Sequence, residues 1–153
     1  MGGRVGDGFI AMAGTDPALY VELLGKLSEG ADAAGRDLAT IDKYIEIKVS
    51  YDHDVQYAQA ACAFWAPLAL TPEEKSGIDD ATELEAAADE ILDRAPSRFI
   101  VSDDPDQVAD RIAPYVELGF KHLIFHGPGD DQERFLRAFC ADVLPRLHER
   151  FGG

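Results

Sequence analysis

An α/β fold with a parallel sheet is what this 153-residue sequence predicts, and three observations carry it. Short β-branched and apolar runs alternate with amphipathic stretches of helical period along the whole chain. Each interval between runs is long enough for a crossover helix, the connection that parallel strands require. The third observation is the segment Lys121–Asp131, KHLIFHGPGDD, in which core residues run straight into His-Gly-Pro-Gly and two aspartates. The carboxyl end of a parallel strand reads this way when its loop opens onto a pocket.

The elements follow in order. GDGFIAMAG predicts a short buried strand from Gly8 to Ala13. A helix comes next, with Thr15 or Asp16 as N-cap and Pro17 in its first turn; Leu19, Leu23 and Leu27 are its expected inner face and Gly30 its exit. After a turn at Gly35, β-branched residues and alternation predict a strand over Tyr44–Tyr51. VQYAQAACAFWAPLAL predicts one helix, stopped near Pro67. Two short helices follow, the first opened by a capping box of Thr71 and Glu74 with Pro72 between them, the second by Asp79 or Asp80.

RFIVSDD reads as a brief strand. Asp104 and Pro105 start a helix whose inner residues are Val108, Ile112 and Tyr115, with a kink expected at Pro114 and an end at Gly119. HLIFHGPG supplies the last strand. A long closing helix should bury Phe135, Leu136, Phe139, Cys140, Val143, Leu144 and Leu147 and bend at Pro145. No internal repeat or low-complexity linker interrupts this order.

Composition narrows the function. Hydrophobic residues make up 46% and charged residues 28%, which is a globular balance. The formal charge of −15 repels phosphate backbones and anionic lipid, so neither nucleic acid nor a membrane surface is an expected partner, and an anionic ligand needs a local basic pocket. No apolar run approaches the roughly 18 residues of a membrane span, and the opening MGGRVGDGFI lacks the apolar core of a signal peptide. Cys62 and Cys140 fall in apolar helical stretches and read as reduced core cysteines of a cytoplasmic protein.

Four histidines raise the question of a metal. His122 and His126 share one face of a strand, but their Cβ atoms lie about 13 Å apart at strand rise, too far for one ion, so no metal is expected. His126, at the carboxyl end of its strand, is a candidate pocket-lining residue. GPGDD resembles a phosphate loop, yet Asp130 and Asp131 stand where the anion would sit, and a tight turn is the better reading. Basic residues are scarce, 14 against 29 acidic ones. Lys75 and Arg98, both beside strands or short helices, together form a candidate oxyanion pair: a point charge and a planar fork.

The segments GRVGDGFI, IDKYIEIKVSYD, FWAPLALTPEEKSGIDD, SRFIVSDDPDQVADRI and GFKHLIFHGPGDDQERFL resemble one family in unbroken order. It is the F420-dependent glucose-6-phosphate dehydrogenase group of the luciferase-like superfamily, whose members are TIM (β/α)₈ barrels roughly twice this length. The resemblance implies that the chain is the C-terminal half of such a barrel, with its last three strands and their helices. It implies deazaflavin coenzyme F420 as cofactor, a small anionic substrate, and a homodimer for the full-length enzyme.

By the same resemblance, Lys75 and Arg98 match two of three basic residues that hold the sugar phosphate. The third position falls at Thr15, so the charge there is lost. One charge-assisted hydrogen bond is worth about 1.5–3 kcal/mol, so affinity for a sugar phosphate should fall roughly ten- to hundredfold. Either the substrate is another phosphorylated or carboxylated alcohol, or Thr15 supplies a weaker hydroxyl contact. The family's proton-transfer residues and most cofactor contacts belong to the other half, so no catalytic residue is assigned here and the fragment alone is expected to be inactive. Two other readings remain open at this stage: a non-catalytic fragment needing self-association or a partner chain, and a flavin-dependent monooxygenase.

Overall fold

The computed structural model describes residues 1–12 and 16–152. The chain divides into two compact units, one formed by residues 1–47 and 110–126, the other by residues 48–109 and 127–153.

In the first unit, β1 (Gly8–Met12) pairs in parallel with the first half of β2 (Asp42–Tyr51), with Gly8 opposite Asp42 and Met12 opposite Glu46. β4 (His122–His126) also pairs with β2. β2 begins two residues before its expected start. The expected strand residue Ala13 and the alternative N-cap Thr15 lie outside the described residues.

β1 departs from the fully buried strand expected of it. Ala11 is buried, but Ile10 and Met12 are 64% and 70% exposed, because no described element of the unit covers that face. The parallel pairing that the alternating order predicts is present all the same.

α1 (Gly2–Val5) packs on α2 (Leu19–Asp32) through glycine. A Cβ at Gly3 would lie 2.0 Å from the Leu27 carbonyl oxygen, and one at Gly30 only 3.4 Å from the Gly3 Cα. Gly30 therefore serves helix packing rather than the helix exit, which falls at Gly35 with its φ of +66°. Arg36 donates to the carbonyls of Gly3 and Gly6 at 3.1 and 2.7 Å, satisfying groups that so short a helix leaves open.

The inner face of α2 is also corrected. Tyr20, Leu27 and Ala31 are buried, whereas Leu19 and Leu23 are exposed. Those two leucines lie one residue, about 100° of arc, off the stripe of 20, 24, 27 and 31 that meets the sheet. Tyr20 stacks edge-on against Tyr115 and Phe120, and its hydroxyl donates to the Met12 carbonyl at 2.8 Å.

In the second unit the last residues of β2 pair in parallel with β3 (Ile100–Ser102), Val49 opposite Ile100. β2 is buried on both faces here: Val49, Ser50 and Tyr51 are all inside. α3 (Val55–Ala61), capped by Asp54, gives way at Cys62 to a 3₁₀ stretch over Ala63–Ala69. The single helix expected there is thus split, since the missing donor of Pro67 falls inside the second part.

The expected capping box and N-caps hold. Thr71 and Glu74 cap α4 (Pro72–Lys75) reciprocally, Asp80 caps α5 (Ala81–Asp89), and Asp104 accepts from the Asp106 amide at the start of α6 (Pro105–Glu117). Gly119, at φ +91°, follows α6 as expected. A second 3₁₀ stretch, Leu92–Arg98, packs its Ala95 with Phe99, Cys62, Ala66, Leu70 and Ala88 into one apolar cluster.

The closing helix is α7 (Gln132–Ala138), a π turn over Phe139–Val143, and α8 (Leu144–Phe151). Pro145 has no N–H for the i−4 carbonyl, and a π turn before it accommodates the gap. The turn also moves the buried stripe. Phe135, Phe139, Val143 and Leu147, each four apart, are buried, while Leu136 and Cys140 are exposed and Leu144 is only half-buried. A regular α-helix would drift about 40° at every such step; the wider turn cancels part of that drift. Among the described residues no helix is long and apolar enough to cross a membrane.

Candidate functional site

Lys75 and Arg98 both belong to the second unit and both are exposed. Lys75 ends α4 and Arg98 ends the 3₁₀ stretch Leu92–Arg98. Among the described residues, neither cationic head is paired with a carboxylate, as holds also for Arg4, Arg111 and Lys121, whereas Arg94, Arg134, Arg137 and Arg146 are paired.

The segments that carry them are joined. Arg94 grips Glu74 with a fork, Nη1 to Oε1 at 2.8 Å and Nη2 to Oε2 at 3.0 Å, and also donates to the Ala69 carbonyl at 2.6 Å. The guanidinium beside Glu74 holds that carboxyl down to about 2, helped by the Thr71 amide.

His126 stands in the first unit, at the carboxyl end of β4, half-buried. Its Nδ1 lies 3.2 Å from Glu46 Oε1 on the neighbouring strand β2. His122, four residues earlier on the same strand, stacks on Tyr44 at 4.2 Å between ring centres. Each imidazole thus has its own partner along β2. Thr15 lies outside the described residues.

A second polar cluster, which sequence reasoning passed over, follows the carboxyl end of β2. Asp52 is buried and takes a bidentate grip from Arg134 at 2.6 and 2.7 Å, which lowers its pKa. The guanidinium lies 3.7 Å above the Tyr57 ring. Asp142 accepts from the Tyr51 hydroxyl at 3.2 Å and meets His53 Nε2 at 2.7 Å. Burial, with Asp142 nearby, pushes the Tyr51 phenol up to about 12.

Asp52, His53, Arg134 and Asp142 line an open cleft of about 660 Å³ in which Asp52, Asp54, Asp131, Glu133 and Asp142 face Arg134 and Arg137. Acids prevail, so the cleft disfavours anions. The available signal was positional: SYDHD follows the most strongly patterned strand, where parallel-sheet loops carry function.

The Gly-Pro-Gly loop is a turn, not an anion cradle. Its carbonyls accept from side chains: Pro128 from the Trp65 indole at 3.1 Å, and Gly127 from Gln132 at 3.2 Å, with Gly129 also taking a bond from Gln132. Asp131 caps α7 by accepting from the Arg134 amide. An apolar groove of about 580 Å³ lies beside Phe64, Trp65, Leu84 and Leu92 in the same unit. Neither cleft nor groove is lined by Lys75, Arg98 or His126.

A deazaflavin needs a cradle, and the glycine-rich opening is the natural place to look. The Cβ directions at Gly3 and Gly6 are closed by backbone atoms within 3.0 Å, so packing accounts for both glycines. Neither glycine is therefore a sign of that cradle.

The family model for luciferase-like monooxygenases matches residues 1–122. The chain is 50% identical over 153 residues to the F420-dependent glucose-6-phosphate dehydrogenase of Microbacterium testaceum, covering 99% of this chain and 46% of that protein. To F420-dependent glucose-6-phosphate dehydrogenase 1 of Rhodococcus jostii it is 51% identical over 147 residues, 95% of this chain and 44% of that one. The chain therefore spans less than half the length of the curated relatives it matches.

Among solved structures, an F420-dependent secondary alcohol dehydrogenase in complex with an F420-acetone adduct superposes at a TM-score of 0.74. It is 23% identical, over 95% of this chain and 44% of that one. The coenzyme F420 dependent tetrahydromethanopterin reductase from Methanopyrus kandleri follows at 0.69, with 24% identity over 95% and 47%. Together with the family match, these two likenesses establish the fold, part of a luciferase-like (β/α)₈ barrel.

Proposed function

Because this chain belongs to the luciferase-like monooxygenase family, we propose that it is the C-terminal, substrate-anion half of an F420-dependent dehydrogenase. The substrate class is a phosphorylated sugar or a related anionic alcohol. The cofactor, when bound, accepts the hydride that leaves the alcohol carbon. Lys75 and Arg98 hold the anionic end of the substrate.

One observation carries this reading. In a chain of charge −15, two exposed cations stay unpaired at the ends of two segments that a third arginine locks together. Free positive charge kept in an acidic chain is what an anion site requires. The similarity of almost the whole chain to dehydrogenases named for glucose 6-phosphate supports the same substrate class.

A chimera joining this chain to the rest of the Microbacterium testaceum relative tests it. Deazaflavin reduction with glucose 6-phosphate is expected. Lys75→Ala and Arg98→Ala should each raise KM about ten- to hundredfold, the worth of one charge-assisted bond, while kcat stays within about twofold. Unchanged KM in both variants removes the anion site, and reduction of a flavin in place of deazaflavin moves the enzyme to the monooxygenase class.

A further inference from the structure

We infer that Arg94 is a positioning residue for the anion site: its grip on Glu74 is what holds Lys75 in place. This inference rests on the anion-site reading above.

The argument begins with what α4 lacks. Pro72–Lys75 buries none of its residues, so no apolar packing fixes the short helix that ends in Lys75. The other cation is anchored differently. Phe99, next to Arg98, is 3% exposed and sits in the apolar cluster with Ala95. Arg98 therefore has a fixed backbone of its own, and Lys75 has the capping box and Arg94.

Arg94 is built as a clamp and not as an anion ligand. Two of its donors go to Glu74 and one contact of Nη2 goes to the Ala69 carbonyl, so one side chain ties α4 to both 3₁₀ stretches. Ser97 Oγ donates back to the Arg94 carbonyl at 2.6 Å, fixing the residue just before Arg98. The Glu74 carboxylate neutralises the guanidinium, which leaves little net charge for a ligand, whereas Lys75 and Arg98 keep theirs. Fork geometry adds direction as well as strength, and a flexible lysine stem gains most from a fixed base.

Titration calorimetry of the full chain with glucose 6-phosphate, and with glucose as the uncharged control, is the test. Arg94→Gln should weaken glucose 6-phosphate binding about as much as Lys75→Ala, roughly tenfold. The double variant Arg94→Gln/Lys75→Ala should be no weaker than either single one, whereas Arg94→Gln/Arg98→Ala should show additive losses. Arg94→Lys, which keeps the charge and loses the fork, should also weaken binding.

Three results overturn the inference and leave the anion site standing: Arg94→Gln binding as tightly as the parent while Lys75→Ala does not, full additivity of Arg94→Gln with Lys75→Ala, or wild-type affinity in Arg94→Lys, which would make Arg94 a direct ligand. Equal binding of glucose and glucose 6-phosphate, or no effect of Lys75→Ala and Arg98→Ala, sinks the anion site and this inference with it.

Discussion

Glu74 gives up its proton well below the usual carboxylate range, and Asp52 below its ordinary value, each chiefly because an arginine side chain bonds to it, Arg94 in one case and Arg134 in the other. A depressed folded pKa means that the carboxylate stabilises the fold above its ordinary value and loses that contribution as pH falls toward the folded one. For Glu74 the window runs from about 4.5 down to about 2. Urea midpoints should therefore decline over that window, and Glu74→Gln should flatten the decline; an unchanged slope in the variant would mean the pair carries no linkage. At this scale the sequence was partly legible. The Thr71 and Glu74 capping box is a four-residue pattern and was visible, and so were Asp80 and Asp104 as caps. The partner of Glu74 was not, because Arg94 lies 20 residues away and no local spacing marks it. Asp52 with Arg134, 82 residues apart, escaped for the same reason.

Elements were legible in kind and less so in face. The strand over Tyr44–Tyr51 and the end of α6 at Gly119 followed from alternation and from a glycine that can take positive φ. Periodicity misassigned the inner faces of α2 and of the closing helix, since it counts apolar residues without knowing what packs on them. Leu19, Leu23 and Leu136 belong to apolar stripes that no described neighbour covers. The π turn before Pro145 has no periodic signature at all. Where an element meets another closely, a prediction follows. A Cβ at Gly127 would sit 2.5 Å from Phe135 Cδ1, against a ring that is itself packed on Phe139. Gly127→Ala should therefore cost about 1–3 kcal/mol of stability in urea titrations, the usual penalty for overpacking; a neutral result would mean that Phe135 moves aside freely.

The molecule as a whole carries less than half the length of its curated relatives, and its first unit shows what that leaves uncovered. Val5, Ile10, Met12, Leu19, Val21 and Leu23 are all exposed there. Such a surface favours self-association, while a charge of −15 opposes it. Added salt screens the repulsion and not the apolar attraction. Light scattering should accordingly show larger species as salt is raised from about 10 mM toward 1 M, over which the screening length shortens from about 30 to 3 Å; a monomer at every salt level would show that the exposed residues are too scattered to act together. The family was legible because its motifs run the length of the chain in order. How an incomplete barrel disposes of its open faces was not, since local patterns describe the residues that are present and not their absent neighbours.

The indole bonded to the Pro128 carbonyl belongs to the chain's single tryptophan. Ultraviolet-excited emission therefore comes with one address, the Gly-Pro-Gly turn. Whatever pries that turn from Trp65 changes the surroundings of the ring and with them its colour, so the molecule reports the state of this loop with no dye attached.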